Sequence, residues 1–219
     1  HQGYCQARQG KGKDHSVTRD KLNIDTEEIF KKLLELKSEW VSRSDDFPFF
    51  TLGPSSYFEG ITGGYEKEAK RVNPILVKNF RTLYTIVSQF LKKRLGESIY
   101  IEADKLSVPG FHIFPSSEIF LTHSGPWHVD IPHETLKLGK KDTSTFVLPI
   151  KLPTGGGGMD LIDPHGNEYF EGYNEGEIIH HDGKTPHRIA GYKKFVPDEY
   201  RVTVQGHLVR RKGKMTMFW

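Results

Sequence analysis

At 219 residues, with 36% hydrophobic and 12% aromatic side chains, the chain reads as one domain with a sizeable core. Its net charge of +3 is too mild for a dedicated nucleic-acid binder, and no stretch is long and apolar enough to cross a bilayer or to act as a secretory signal. A single cysteine, Cys5, excludes an internal disulfide framework and fits a reducing, cytoplasmic setting, while 22 glycines and 12 prolines favour a β-rich fold. The chain begins on His1 rather than Met, so segments ahead of it are expected to be missing.

Residues 1–20 are polar, glycine-bearing and without periodicity, and are expected to form a flexible basic arm ahead of one domain over 21–219. The basic runs "RQGKGK" near the start and "RRKGK" near the end read as loose, charged termini. "DTEEIFKKLLELKSEW" predicts a helix: Asp25 caps it, Glu28 follows three later, and Ile29, Leu33, Leu36 and Trp40 recur on one face. The aromatic, Gly- and Pro-rich stretch 47–66 cannot be a long helix and reads as packed cover or a substrate lid. "NPILVKNFRTLYTIVSQFLKKRLG" predicts a second helix, with Asn73 as cap, Pro74 in the first turn, Gly96 at the exit, and Leu76, Phe80, Leu83, Val87 and Leu91 as the buried stripe.

From residue 98 to 211 the pattern changes to ten short β-favouring runs separated by turn formers such as "DPHGN", "PTGGGG" and "DGKTP". Helices followed by many short strands predict a mainly β, α+β domain: a jelly-roll barrel or sandwich, with residues 21–97 supplying helical support and a lid on one outer face. The "GGGG" run at 155–158 lacks the Lys-Ser/Thr of a phosphate loop and is expected to be a flexible hairpin or a close approach to substrate.

Within "PWHVDIPH", His128 and Asp130 are two apart in a predicted strand and so share a face, able to reach one metal ion. His187, 57 residues beyond Asp130, completes a set of two histidines and a carboxylate that leaves coordination positions open. His180 and His181 compete for the third place; His187 is preferred because "GEIIHH" reads as the strand before the turn. In "YRVTVQGHLV", Arg201 and Thr203 are again two apart, and an inward arginine needs an anion. The alternative is a salt bridge from Arg201 to Glu199 at the rim. His133 is expected near the metal motif, beside or facing substrate, whereas His15, His165 and His207 read as surface or structural.

The order His-x-Asp, then the distal His in "GEIIHHDGKTPHRI", then "RVT" fourteen residues on, resembles the 2-oxoglutarate-dependent Fe(II) oxygenases over roughly residues 98–209. That resemblance implies a double-stranded β-helix, a cupin-like jelly roll. It implies Fe(II) on His128, Asp130 and His187, and 2-oxoglutarate held through its far carboxylate by Arg201 with help from Thr203. O2 is then the oxidant, succinate and CO2 the co-products, and ascorbate the reductant in vitro. Members that halogenate lack the carboxylate at the position of Asp130, so its presence implies hydroxylation or a related oxidation. The lid over the barrel mouth is expected to draw on Phe49, Phe50, Tyr57 and Tyr65, and on Phe111, His112, Thr122 and Trp127. Aromatic rings with a few polar tips imply a small enclosed pocket and a small polar metabolite, an amino acid or a derivative. No membrane is implied as partner and no nucleic acid is expected. Three other readings stay open: a zinc hydrolase on the same ligands, a cupin-like binding protein without turnover, and an oxygenase acting on a protein or nucleic acid.

Overall fold

The computed structural model describes residues 17–219. The arm expected over 1–20 lies mostly outside them, as do Cys5, His15 and "RQGKGK"; its last residues instead open strand β1 (Thr18–Lys21). Helix α1 (Thr26–Glu35) starts as its sequence predicts, with Glu28 N donating to the Asp25 carboxylate at 3.0 Å. The short strand β2 (Val41–Ser42) precedes the aromatic stretch, which holds β3 (Phe50–Leu52) and one turn of helix, α2 (Glu59–Thr62).

Helix α3 runs from Tyr65 to Leu95, starting well before the expected first helical residue Pro74, so Asn73 does not cap it. The Asn73 amide is instead buried inside the helix and clamps the returning loop. It donates to Ala103 O at 2.7 Å and Leu106 O at 2.9 Å, and accepts from Val108 N at 3.0 Å. The predicted stripe of Leu76, Phe80, Leu83, Val87 and Leu91 is buried, and Gly96 ends the helix in the left-handed region at φ 73°.

The remaining chain gives β4 (Ile99–Tyr100), β5 (Gly110–Pro115), the short helix α4 (Pro132–Thr135), β6 (Ser144–Lys151), β7 (Gly158–Ile162), β8 (Glu168–Gly172), β9 (Glu177–His181), β10 (His187–Ile189), β11 (Tyr200–Arg211) and β12 (Lys214–Phe218). Two of the expected strands do not form. "EIFLTH" is a 3-10 turn over Glu118–Leu121, and "WHVDI" is an extended loop with a single bridge. The basic "RRKGK" end is not loose: it is the hairpin between β11 and β12, with Arg210 bonded to Glu97 and Asp142 and Arg211 to Glu102.

Nine strands form one large sheet whose main path is β1-β9-β6-β11-β5-β3-β2, with β12 and β4 off its side; β10-β7-β8 form the small sheet. The fold is a double-stranded β-helix, mainly antiparallel. Alternation along the large sheet separates two interiors. Phe111, Ile113, Phe146, Leu148, Ile150, Val202, Val204 and Leu208 pack against α1 and α3 on the outer face. The opposite face of the same strands meets the small sheet, where Val147, Met159, Leu161 and Ile179 cluster.

The glycine run serves close approach of the chain to its own backbone, not to a substrate. A Cβ on Gly155 would lie 2.0 Å from Lys194 O, and one on Gly158 2.5 Å from Glu171 O. Replacing Asn73 by Leu removes three buried hydrogen bonds and strands two carbonyls and an amide. A loss of about 1–3 kcal/mol in urea unfolding is expected. A midpoint unchanged from the parent protein would contradict the clamp.

Candidate metal centre

The two halves of the centre are joined by backbone. His128 N donates to His187 O at 3.0 Å and His187 N to His128 O at 2.9 Å, an antiparallel bridge that extends the small sheet past β10. Two residues on, Asp130 N donates to Gly183 O at 2.8 Å. The segment is extended although it is not a regular strand, so His128 and Asp130 still project to one side. One ligand atom from each of His128, Asp130 and His187 falls within 4.8 Å of the others.

Both imidazoles are oriented by the chain. His128 Nδ1 donates to Pro126 O at 2.9 Å, and His187 Nδ1 donates to Thr185 O at 2.8 Å. Each Nε2 is thereby turned to the Asp130 carboxylate, at 3.8 Å from His128 and 3.4 Å from His187. A backbone carbonyl on the far ring nitrogen is the usual support of a metal-bound histidine.

The electrostatics favour a cation. Burial alone would push the Asp130 carboxyl up, but the hydrogen bond to His187 and the rings of His207, His187 and His181 outweigh it and hold the group well below the usual carboxylate range. Burial pulls His187 down, yet its hydrogen bond to Asp130 and that residue's charge leave it raised. The donor set fits a divalent metal with open positions, and two histidines with one carboxylate are the set of non-haem Fe(II) centres.

The competing histidines separate by face. His180 points to the helix side, where Arg94 Nε donates to its Nδ1 at 3.3 Å. His181 lines the site, with its ring 5.0 Å from that of His187, but its Nδ1 accepts from Gly183 N at 3.0 Å. Neither joins the converging set.

A cavity of about 360 Å³ opens beside the triad, lined by both sheets and by the aromatic loop. Tyr57 and Phe49 lie on its wall, as does His112, whose ring is hydrogen-bonded to the Tyr57 hydroxyl. Burial lowers His112 to about 3, with Arg201 and His207 adding to the effect.

Other expected lid residues lie elsewhere. Phe111 packs in the core behind the sheet, 4.8 Å from Phe80, because His112 takes the inward place and its neighbour must face out. Phe50 packs at a tilt against Trp40, and the Tyr65 hydroxyl is tied to Ser107 and Trp219. Thr122 is exposed at the end of the 3-10 turn, and Trp127 lies under Arg188 at 4.4 Å, outside the cavity wall. His133, buried in α4, borders a separate surface hollow with Lys137 and Lys140; its neighbours Pro132 and Thr135 reach the cavity instead.

Arg201 is 3% exposed, and no ion pair joins it to a carboxylate among the described residues. It donates to Gly158 O at 3.0 Å and Ala190 O at 3.3 Å, between the rings of Tyr173 and Phe114. Glu199, the alternative partner, accepts from Thr154 instead. Arg201 borders a second pocket of about 110 Å³ lined by Phe47, Phe49, Phe114, Phe120 and Tyr192, which shares Phe49, Pro126 and Ile189 with the metal cavity. Thr203 follows on the same inward face, buried opposite His112.

Thr145, Gln205 and His207 also line the cavity and carried no expectation as site residues; His207 was expected to be surface or structural. Their signal was the alternation itself. If Arg201 and Thr203 face inward on β11, Gln205 and His207 must follow.

No protein-family model matches the chain, and no curated protein matches it. Among solved structures it is similar to the non-heme α-ketoglutarate-dependent epimerase SnoN from nogalamycin biosynthesis, with TM-score 0.52 and 13% identity over 91% of this chain and 82% of that one. SnoN in complex with Fe3+, α-ketoglutarate and nogalamycin RO gives 0.52 and 11%, over 91% and 83%. The α-ketoglutarate-dependent carbocyclase SnoK from the same biosynthesis gives 0.51 and 12%, over 90% and 82%. At such identities the shared property is the fold.

Replacing His187 with Ala should abolish stoichiometric binding of Fe(II), or of Co(II) as its stand-in, while His181→Ala should retain it. Calorimetric titration of the two variants reads this directly, and the reverse order would reassign the third ligand.

Proposed function

We propose that the chain is an Fe(II)- and 2-oxoglutarate-dependent oxygenase that hydroxylates a small molecule, releasing succinate and CO2. The observation that carries the proposal is the convergence of His128, Asp130 and His187 with both histidine Nδ1 atoms already committed to backbone carbonyls. These three residues would hold the iron. Bound there with 2-oxoglutarate, the metal supplies activation of O2, a reaction that no side chain of the protein can perform.

The protein's own share is binding, orientation and exclusion of water. Arg201 would take the far carboxylate of 2-oxoglutarate: a buried guanidinium with no carboxylate partner among the described residues is a ready anion site. Thr203, on the same face of β11, would assist. Thr145 Oγ donates to Asp130 Oδ2 at 2.8 Å and so holds one carboxylate oxygen, leaving the other directed at His128. A cavity of about 360 Å³ is the size for a metabolite and not for a polymer. Its wall mixes apolar side chains (Val147, Met159, Ile189) with buried imidazoles, which supports a substrate with an apolar body and a few polar groups, such as an amino acid or its derivative.

Arg201, buried without a carboxylate partner among the described residues, favours this reading over a zinc hydrolase on the same ligands, which has no use for it. Succinate formation from 2-oxoglutarate with Fe(II) and ascorbate, across a panel of amino acids and small hydroxy acids, tests the proposal; no succinate with any metal loading would overturn it. Arg201→Ala is expected to raise the 2-oxoglutarate concentration needed for half-maximal turnover more than tenfold, since loss of a buried charge partner costs about 2–5 kcal/mol. An unchanged requirement would contradict the role of Arg201 as the carboxylate anchor.

A further inference from the structure

Three buried imidazole nitrogens have no hydrogen-bond partner among the described residues: His112 Nδ1, His181 Nε2 and His207 Nε2. All three rings line the one cavity. Buried nitrogens of this kind are normally met by a partner; each of these three is closed off from solvent, so a ligand meets one only where the cavity wall yields to it.

For His207 the chemistry of the missing partner can be deduced. Asp130 is an ionised carboxylate and can only accept. Thr145 Oγ, 2.8 Å from Asp130 Oδ2, must therefore spend its single hydrogen on that contact. The same hydroxyl lies 3.0 Å from His207 Nδ1, and with its hydrogen committed it can only accept there. His207 Nδ1 thus carries the proton. In the neutral ring Nε2 is then a bare lone pair, and burial keeps the ring neutral by lowering it to about 4. The run Asp130–Thr145–His207 locks one tautomer. His181 is locked the opposite way: its Nδ1 accepts from Gly183 N, so its free Nε2 is a donor. His112 is not locked, because the Tyr57 hydroxyl can give or take at its Nε2.

We propose that His207 is a specificity-determining residue of this cavity, its Nε2 accepting a hydrogen bond from a hydroxyl or N–H group of the substrate. The word substrate rests on the oxygenase reading; the tautomer and the recognition do not. The class selected is a small alcohol, amine or amide. Its apolar skeleton lies against Val147, Met159 and Ile189, and its donor group reaches the β11 wall. The rule is one of exclusion as well as attraction: a site built to take a donor rejects the analogue that lacks one, because the buried acceptor is then left bare.

The test uses full-length protein loaded with Zn(II), a diamagnetic stand-in for the iron, and 2-oxoglutarate, with 15N-labelled histidine. Long-range 1H–15N correlation is expected to show the His207 proton on Nδ1, and Thr145→Val to turn that ring into a mixture of tautomers. Ligand selection is read with matched pairs: cyclohexanol against methoxycyclohexane, and L-leucine against N,N-dimethyl-L-leucine. The parent protein is expected to prefer the member with the free donor by about tenfold in one pair or both, the effect of one net hydrogen bond. His207→Phe should bring that ratio to about one. His207→Gln, which puts a carbonyl oxygen near the place of Nε2, should restore part of it. Thermal unfolding of each variant separates loss of selection from loss of fold. A His207 proton found on Nε2 would overturn the proposal, as would a parent protein that prefers no donor-bearing member. Neither reading requires turnover. A protein that makes no succinate yet shows the locked tautomer and the preference contradicts the oxygenase proposal alone.

Discussion

The site depends on one pair of backbone hydrogen bonds, those exchanged between His128 and His187. They close the small sheet across a separation of 59 residues. Without them the two imidazoles belong to unrelated loops. With them, and with Asp130 N held on Gly183 O, three side chains from two distant segments face one point. Backbone bonds between extended segments are stiff in register. A ligand set built on them is pre-formed, and the Nδ1 contacts to Pro126 O and Thr185 O finish the task by fixing each ring.

Strand β11 is the second constraint, because it serves two interiors at once. Val202, Val204 and Leu208 anchor it to the helices. The alternate residues Arg201, Thr203, Gln205 and His207 form a polar rail along the opposite face, buried or nearly so. Such a rail is stable only if its members are satisfied. Arg201 finds backbone carbonyls and aromatic faces but no carboxylate; His207 satisfies one nitrogen and not the other. These incomplete positions fall beside the triad and its cavity, as expected where function and not stability sets the choice of residue.

Much of this was legible in the sequence, for reasons that can be traced. The helices could be read because Asp25 and Gly96 act locally, through caps, and because the stripe from Leu76 to Leu91 has a period the helix imposes. The converging residues His128, Asp130 and His187 could be singled out because two-residue spacing in an extended segment is a geometric statement. What failed was non-local. Asn73 has the chemistry of a cap, but its partners at Ala103, Leu106 and Val108 come from a loop 30 or more residues away. "WHVDI" and "EIFLTH" have strand propensity, yet a strand needs a continuous neighbour to pair with, and "WHVDI" has one bridge at His128 and one further bond at Asp130. His207 was misread because it was judged alone. Its inward placement follows from that of Arg201, six residues earlier on the same strand.

The central claim is that His128, Asp130 and His187 form an iron centre at which 2-oxoglutarate binds as a second ligand set by the protein. Visible absorption under anaerobic conditions tests it most directly, because a keto acid chelating Fe(II) through two oxygens gives a charge-transfer band that neither component shows alone. Titrating 2-oxoglutarate into the Fe(II)-loaded protein should produce this band, saturating at one equivalent per chain. If iron binds and no band develops, or if the band is the same in Asp130→Ala, the metal is not held as described and the account of the site fails.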